Sequence, residues 1–570
     1  MMEQKRQTPE TVWAEYEKGV DFKNQLNLYD TVRSNEDFYI GKQWEGVQSN
    51  GLPTPVFNFI KRIILFLVAS TSTDNIKMSA SPLSSTGSNT SVEMERVCTI
   101  VNAQFEALFE QNKLGKKIRT FMRNAAVDGD ACIYTWFDPD VETGQTAKGA
   151  IRTELLENTR VIFGNPNCRE VQSQPYIIVS RRELVSAVKR RAEQFGGSAD
   201  TIRSDTDEAN DRFDAMIDGK VTTLMRLWID PEAKTLKAME TTKDTVIRPE
   251  WDTGQKLYPI VWMNWDYVQN CYHGQAAVTG LIPNQIFVNK IFAMTMISLM
   301  TTAYPKVVYD RTRIGKWDSR VGAAIGVNGG DVTNVAKAID PAVISPQVSQ
   351  FIELAISLTK EFMGATDAAL GDTRPDNTSA IIALQKASSV PMELTKQELF
   401  QCIEDLGNIW LDLMRTYYGA RFVEVSPSEA EQQAMASIGL TQAMGSKPVL
   451  FDFSVLESIP LSLKLDVGGS AYWSEIAQMN TLDNLLMQGQ ISVIDYLERV
   501  PNGYISNQQE LIQTLRDRQN MEQMGTQAEK PSGPIIDFNQ PAEVSPGGGY
   551  GTLQRILNTT GAESLKLSKS

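Results

Sequence analysis

GLIPNQIFVNKIFAMTMISLMTTAYP, residues 280–305, and SPQVSQFIELAISLTKEFMG, residues 345–364, decide how this 570-residue chain is read. The first carries Ile286, Phe287, Ile291, Met294, Ile297 and Met300 at helical spacing. Pro283 suits the first turn of that helix, where a missing N–H costs nothing. About twenty residues of helix would span roughly 30 Å. Pro305 closes the segment, because the residue before a proline is pushed away from helical backbone. The second stretch opens on Ser345-Pro346, an N-cap with proline at the first helical position. Val348, Phe351, Ile352, Ala355, Leu358 and Phe362 then repeat at helical spacing up to Gly364. Both segments are rich in apolar residues and need a partner, and each is the other's nearest choice.

Between them lies an insert, Tyr304 to Ile344, with an extended run Lys306 to Tyr309 and glycine turns at Gly326 and Gly329-Gly330. Lys306, Arg311, Arg313, Lys316 and Arg320 outnumber Asp310 and Asp318 there. In so acidic a chain this local excess is the place to meet phosphate, or else a set of exposed arginines at a subunit contact. After Gly364 comes ATDAALGDTRPDNT, residues 365–378, a loop. A long helical pattern follows from about Ser379 to Tyr418, interrupted by Pro391, which removes a hydrogen bond and kinks a helix. The order of parts is therefore helix, insert, helix, loop, kinked long helix.

The length allows several domains, and 42% apolar residues is ordinary for a folded protein. Net charge is −14 and the pI about 4.9, which argues against a tight DNA binder, since that would carry a basic patch. It does not argue against a protein that DNA passes by. Five cysteines at 98, 132, 168, 271 and 402 form no Cys-x-x-Cys pair and read as free thiols of a reducing compartment. The N-terminus has no apolar signal region, and the apolar runs Ile63 to Ala69 and Ile291 to Met300 fall short of a membrane span of about 20 residues. The expectation is a protein soluble and intracellular at synthesis, with no membrane partner.

Taken in order, Thr8-Pro9-Glu10 starts a polar helix expected to run to about Ser34. The aromatics of NEDFYIGKQW, residues 35–44, and of PVFNFI, residues 55–60, could form a small core under a turn before an apolar helix. Residues 73–92, rich in Ser, Thr and Asn, suit an exposed loop. Helices are expected over Val92 to Asn112 and Lys116 to Val127, and Asp128-Gly129-Asp130 turns into a strand from Ala131 to Phe137. Further strands are expected at 151–156, 160–163, 176–180, 222–229 and 235–241. A basic helix, Arg181 to Phe195, carries Lys189-Arg190-Arg191, a solvated face or a nucleic-acid contact. Up to about Cys271 this reads as one α+β domain.

After the long helix, Arg421 to Val425 and Phe451 to Asp466 read as strands, followed by three shorter helices. The last two have the capping boxes Ser492-x-x-Asp495 and Ser506-x-x-Gln509. Residues 526–570 hold six Gly and four Pro with few large apolar groups, a tail expected to be mostly disordered.

The search for chemistry returns little. The single histidine, His273, leaves no two-histidine zinc motif, and no Gly-x-Ser-x-Gly elbow accompanies it, so turn packing is its expected role. Gly-Lys pairs at 41–42, 115–116, 219–220 and 315–316 are not followed by Ser or Thr, so there is no Walker A loop. The glycine run at 547–551 lies in the tail, away from any strand-to-helix turn. The reading is not an enzyme, with no cofactor and no metal. A carboxylate–metal nuclease is not excluded by counting, because 69 Asp and Glu make acidic pairs common.

Asn35-x-x-Phe38-x-x-Gly41-x-Gln43-Trp44, with Asn58 after it, resembles the N-terminal signature of podovirus-type portal proteins of tailed bacteriophages. Ala125 to Asp130 with its following strand looks like that family's helix-Gly-strand step. Tyr272-His273-Gly274-Gln275, leading to Gln285 and Asn289, looks like the entry to its first stem helix. The likeness is spread over roughly residues 30–520, and its strength is the order of the pieces around the helix–insert–helix core.

The resemblance implies an α+β, mostly helical portal fold with wing, stem, clip and crown, assembled as a dodecameric ring at one capsid vertex. Its parts would be an N-terminal helical arm (1–30), a wing (31–271 and 421–470) and stem helices (272–303 and 346–363). A clip (304–345), a tunnel loop (364–378), a long kinked helix (379–420), a crown (471–525) and a flexible tail (526–570) complete it. The implied partners are the terminase motor, head-completion or adaptor proteins, the major capsid protein and scaffold, and double-stranded DNA passing non-specifically through the channel. The implied setting is the virion, with host cytoplasm during assembly. Asp367, Asp372, Arg374 and Asp376 are expected to face the channel, and Lys306, Arg311, Arg313, Lys316 and Arg320 the clip surface. The alternatives are another ring-forming head–tail adaptor or a metal-dependent nuclease.

Overall fold

The computed structural model describes residues 7–49, 51–72, 76–82, 88–211, 214, 216, 218–303, 307–318, 320, 323–330, 332–338, 347–362, 378–425, 447–457, 459, 461–467, 482, 485–488, 490–500 and 511–516. Residues 1–476 form one compact unit and 477–570 a second.

Helix α1 (Pro9–Gln25) starts at a capping box in which the Thr11 N–H donates to Thr8 Oγ1 and the Thr8 N–H donates to Thr11 Oγ1. It does not run to Ser34. The chain breaks at Asn27, whose φ of 52° is left-handed, and α2 (Leu28–Ile40) restarts there; asparagine tolerates that backbone better than most residues. Asn35 to Ile40 thus end a helix, and the turn begins at Gly41. Helix α3 (Phe59–Ser72) follows. The expected loop 73–92 holds a strand, β1 (Ile76–Pro82), whose Ile76, Met78 and Ala80 alternate inward, and then the start of α4 (Ser88–Gln111). Its polar residues hid the alternation. Helix α5 (Leu114–Asp128) then leads to Gly129.

Two antiparallel sheets build the α+β region. One has the order β3–β2–β9, from β2 (Asp130–Asp138), β3 (Ala150–Leu156) and β9 (Ile260–Asn264). The other runs β4 (Val161–Phe163), β5 (Ile177–Leu184), β6 (Lys220–Ile229), β7 (Leu236–Thr241) and β8 (Val246–Asp252) in sequence order. Arg181 to Leu184, expected as helix, belong to β5 because they pair with Thr223 to Lys220, so α6 is only Val185–Phe195. A short α7 (Glu208–Asp211) precedes β6. Strands β8 and β9 were not anticipated. The first carries Pro249 and charged residues at a sheet edge, and the second is a five-residue, fully buried run without alternation.

One face of the five-stranded sheet presents Ile162, Ile178, Leu224 and Met239 to Val12 and Tyr16 of α1. Period-2 alternation puts Val161, Phe163, Ile177, Val179 and Leu227 on the other face, with Tyr134, Tyr258 and Trp262 of the smaller sheet's side. The arm helix is therefore an integral cover of this sheet.

The hairpin segments fold as α8 (Ala277–Ala303) and α9 (Gln347–Phe362), joined through the short antiparallel pair β10 (Val307–Tyr309) and β11 (Ala336–Ala338). Pro283 is not in the first turn. The helix begins six residues earlier at Ala277, and the proline forfeits only the bond to Thr279. Ser345 and Pro346 lie outside the described residues. Helix α10 (Thr378–Tyr417) continues through Pro391. Leu399, Cys402, Ile403, Leu406, Ile409, Trp410, Leu413 and Met414 make its lower half the spine of the largest core cluster.

Beyond α10, β12 (Ala420–Val425) pairs with β13 (Lys447–Asp452), and β14 (Leu461–Val467) pairs with β1 in the register Ile76 to Val467. The expected strand 451–466 is split by a 3-10 turn, Phe453–Glu457, which turns Phe453 into the core. In the second unit the helix Val493–Arg499 is capped as its motif indicated, the Asp495 N–H donating to Ser492 Oγ at 3.1 Å. Ser506 and Gln509 lie outside the described residues.

Candidate functional site at the root of the helical hairpin

The polar residues singled out along the sequence converge where α8 leaves the body. Gln285 faces inward from α8, fully buried. Its Oε1 accepts from the N–H of Phe59 at 3.2 Å and of Ile60 at 3.4 Å, and its Nε2 donates to Phe57 O at 2.8 Å. One turn further on, Asn289 donates to Gln43 Oε1 at 2.6 Å and accepts from Phe57 N–H and Gln285 Nε2. Gln43 in turn donates to Phe38 O, Trp44 Nε1 to Pro55 O, and Asn58 Nδ2 to Tyr39 O. Asn35 donates to Val127 O at 2.8 Å and to Thr279 Oγ1 at 3.0 Å. Gln285, and Asn58 Oδ1 accepting from Lys61 N–H at 3.0 Å, serve the N–H groups that α3 leaves open at its first turn. The aromatics expected as a small core do pack: Phe38, Tyr39 and Phe59 lie against Ile60, Ile64, Val278 and Leu281.

Behind this lattice is a buried charged centre. Asp130, the first residue of β2, accepts four hydrogen bonds, from Asn264 Nδ2 (2.7 Å), Gly274 N–H (2.6 Å), Asn158 Nδ2 (3.3 Å) and His273 Nδ1 (2.6 Å). Burial holds His273 below its usual range against the pull of Asp130, so the ring is neutral with its proton on Nδ1. Its Nε2 is buried without a partner among the described residues. Lys23 of α1, fully buried, donates to Asn158 O, Thr159 O and Val161 O at 3.0, 2.8 and 2.7 Å. Desolvation pulls it down to about 7, opposed by Asp130. Three carbonyls match the three hydrogens of the protonated form. Burial likewise pushes Asp128 up to about 7, with Arg123 opposing. Gly129, at φ +95°, allows the close turn, since a Cβ there would lie 2.8 Å from Gly274 O. Lys23 and Asp130 were missed in the sequence reading. A signal existed for Lys23, which continues the stripe Val12, Tyr16 and Val20 on the covered face of α1.

Outward from the root, α8 and α9 pack antiparallel, with Asn284 Nδ2 donating to Thr359 Oγ1 at 3.2 Å and Phe287 edge-on to Phe351. Much of their apolar surface is uncovered in the single chain: Met294 is 62% exposed, Phe351 56% and Leu299 55%. In the insert, Ile314 and Val335 are buried, and Tyr309 stacks on Trp317. The basic residues there divide. Arg313 donates to the Asn328 and Gly329 carbonyls, and Arg320 pairs with Asp318, whose carboxyl this holds below the usual range. Arg311 and Lys316 are exposed. Lys306 lies outside the described residues, as do Asp367, Asp372, Arg374 and Asp376. In the triplet on α6, Arg191 folds onto Glu183 and Glu240, while Arg190 is exposed.

Among the described residues no group of three or more His, Cys, Asp or Glu could hold a metal ion, and no helix is long and apolar enough to cross a membrane. The arrangement is a rigid polar root carrying an apolar hairpin.

Residues 188–439 match the Phage P22-like portal protein family, a span that begins in α6 and includes the hairpin, its insert, the following loop and α10. The match supports a phage portal protein, and the family is structural and non-enzymatic. No curated protein matches the chain.

Proposed function

We propose that this chain, given its match to phage portal proteins, assembles into a dodecameric ring at one capsid vertex. The ring is the channel for genome packaging and ejection, and docks the terminase motor and head-completion or tail proteins. The observation that carries the reading is the apolar surface of α8 and α9. Met294, Leu299, Met300, Phe351, Leu354 and Leu358 are exposed on a hairpin that leaves the body through a rigid root, an arrangement that calls for neighbouring copies.

In this reading residues 31–271 and 421–470 form the wing, 272–303 and 346–363 the stem, and 304–345 the clip. Residues 364–378 are the tunnel loop, 379–420 the long helix, 471–525 the crown, and 1–30 and 526–570 the terminal arm and tail. Asp367, Asp372, Arg374 and Asp376 face the channel, and Lys306, Arg311, Arg313, Lys316 and Arg320 belong to the clip surface, Arg311 and Lys316 being exposed among the described residues. An acidic lining repels phosphate, so DNA slides without sticking, the inverse of binding by counterion release. The net charge of −14 agrees with that. Capsid protein and scaffold surround the ring during assembly in host cytoplasm.

Native mass spectrometry of the purified protein, with negative-stain images of the same sample, tests this. Twelve copies of 63.5 kDa give about 760 kDa and a central channel seen end-on. Rings of eleven or thirteen copies also agree, whereas a stable dimer or tetramer without a channel overturns the reading.

A further inference from the structure

A second site, sharing no lining residue with the hairpin root, is a cavity of ≈ 300 Å³ between the two sheets of the α+β region. Its floor is one face of the five-stranded sheet, since Arg181, Thr223, Met225, Ala238 and Glu240 all point the same way by strand alternation. Its walls are aromatic: Tyr134 and Trp136 from β2, Trp251 from β8 and Tyr417 from the end of α10. Volume at this scale is the lower end of what small-molecule sites use, about 300 Å³ and upward.

Three features distinguish it from a packing defect. Its charged lining is Arg181, Arg191 and Arg248 against Glu240 alone, a formal +2 in a chain of net −14. Arg181 is paired with Glu154, and Arg191 with Glu183 and Glu240. Arg248 is held instead between rings, 4.2 Å from the centre of Phe195 and 3.7 Å from that of Trp251. Among the described residues no ion pair reaches it, and burial draws it below its ordinary range. Finally, Gln255 is 6% exposed and lines the cavity, yet its Oε1 has no partner among the described residues, and the buried Arg191 Nε has none either. A buried acceptor left unpaired is destabilising, so a fold that keeps one invites a donor from outside.

We propose that this cavity binds a nucleoside monophosphate. Its phosphate meets the Arg248 guanidinium, its planar base lies among the aromatic walls, and a base N–H donates to Gln255 Oε1. The phosphate and the base N–H answer the two groups left open at Arg248 and Gln255, and the aromatic walls give the base its stacking surface. The proposal does not depend on the channel reading, because it concerns a pocket within one chain.

The test is isothermal titration of the full-length protein with each of the four 2′-deoxynucleoside 5′-monophosphates, with the matching nucleosides and with inorganic phosphate. At least one monophosphate is expected to bind with Kd below about 1 mM, and its nucleoside and phosphate alone at least roughly tenfold more weakly. Arg248→Gln should weaken binding roughly tenfold or more, the loss expected for one charge-assisted hydrogen bond. Because Arg248 also packs against two rings, Gln255→Leu is the second variant. It removes an unpaired acceptor together with the long 3.4 Å bond from Gln255 Nε2 to Tyr417 OH, whose own bond to Thr253 O remains, so the melting temperature of the unliganded protein should change little, while monophosphate binding falls roughly tenfold. No binding of any monophosphate at about 5 mM, or binding that both variants leave within about twofold, overturns the proposal.

Discussion

Asp130 Oδ2 stands 2.6 Å from His273 Nδ1, although 143 residues separate them in the chain. The contact joins the first residue of β2 to the turn that launches α8, and the adjacent Gly274 N–H donates to the same carboxylate. The direction in which the hairpin leaves the body is thus set by a buried carboxylate in a sheet.

His273→Gln should lower stability by roughly 1.5–3 kcal/mol, since it takes one of four donors from a buried charge. The effect depends on pH. Native His273 titrates below its ordinary 6.5, so below that value the unfolded chain binds the extra proton and stability falls with falling pH. The wild-type advantage over the variant should therefore shrink as pH drops under 6.5. Paired thermal scans from pH 8 to about pH 5 check it, and a constant gap would contradict the assignment.

Gly129→Ala should be among the costliest small changes in the chain. Its φ of +95° is strained for any residue with a Cβ, and that Cβ would sit 2.8 Å from Gly274 O. Roughly 2 kcal/mol or more is expected, read as a lowered melting temperature.

Replacing Lys23 by Met takes a donor from each of three carbonyls and leaves Val161 O with the Tyr272 hydroxyl at 3.4 Å, a loss of roughly 2–3 kcal/mol less the relief of burying no ammonium. Native Lys23 titrates near 7 against an ordinary 10.5. Between those values the unfolded chain holds the proton and the native one has released it, so this group makes wild-type stability rise with pH. The variant should lose that rise between pH 7 and about pH 9.5, and limited proteolysis should cut α1 away faster.

Met294→Glu combined with Leu354→Glu should leave the folded chain's melting temperature nearly unchanged, within about 0.5 kcal/mol per site, because both are exposed in the single chain. The same pair should shift sedimentation from large rings to smaller species. Rings of undiminished size would show that the hairpin face is not the subunit contact.

Deleting residues 366–376 should leave ring size on gel filtration intact while abolishing DNA packaging in an assembly assay. Packaging at the normal level would remove the channel role from Asp367, Asp372, Arg374 and Asp376.

Part of the root is legible in the sequence. Asn35, Gln43, Asn58, Gln285 and Asn289 stood out in the motifs that carry the portal resemblance; the structure hydrogen-bonds Gln43, Asn289 and Gln285 to one another, while Asn58 donates to Tyr39 O and Asn35 to Thr279 Oγ1 of α8. The capping boxes at Thr8 and Ser492 were legible too, because a cap is a contact between residues three apart. The edge strand β8 and the short buried β9 were not, since neither alternates.

By itself the sequence determined what local physics controls: two apolar helices around an insert, the long apolar stripe of α10, the strands that alternate, and the acidic charge balance. Only the tertiary structure decided that Ile76 pairs with Val467, that Lys23 fills a ring of carbonyls from β4 and the turn before it, and that His273 answers to Asp130. Such contacts leave no period in the chain. Each exists because a buried polar group must find a partner wherever the packing of apolar faces happens to bring one.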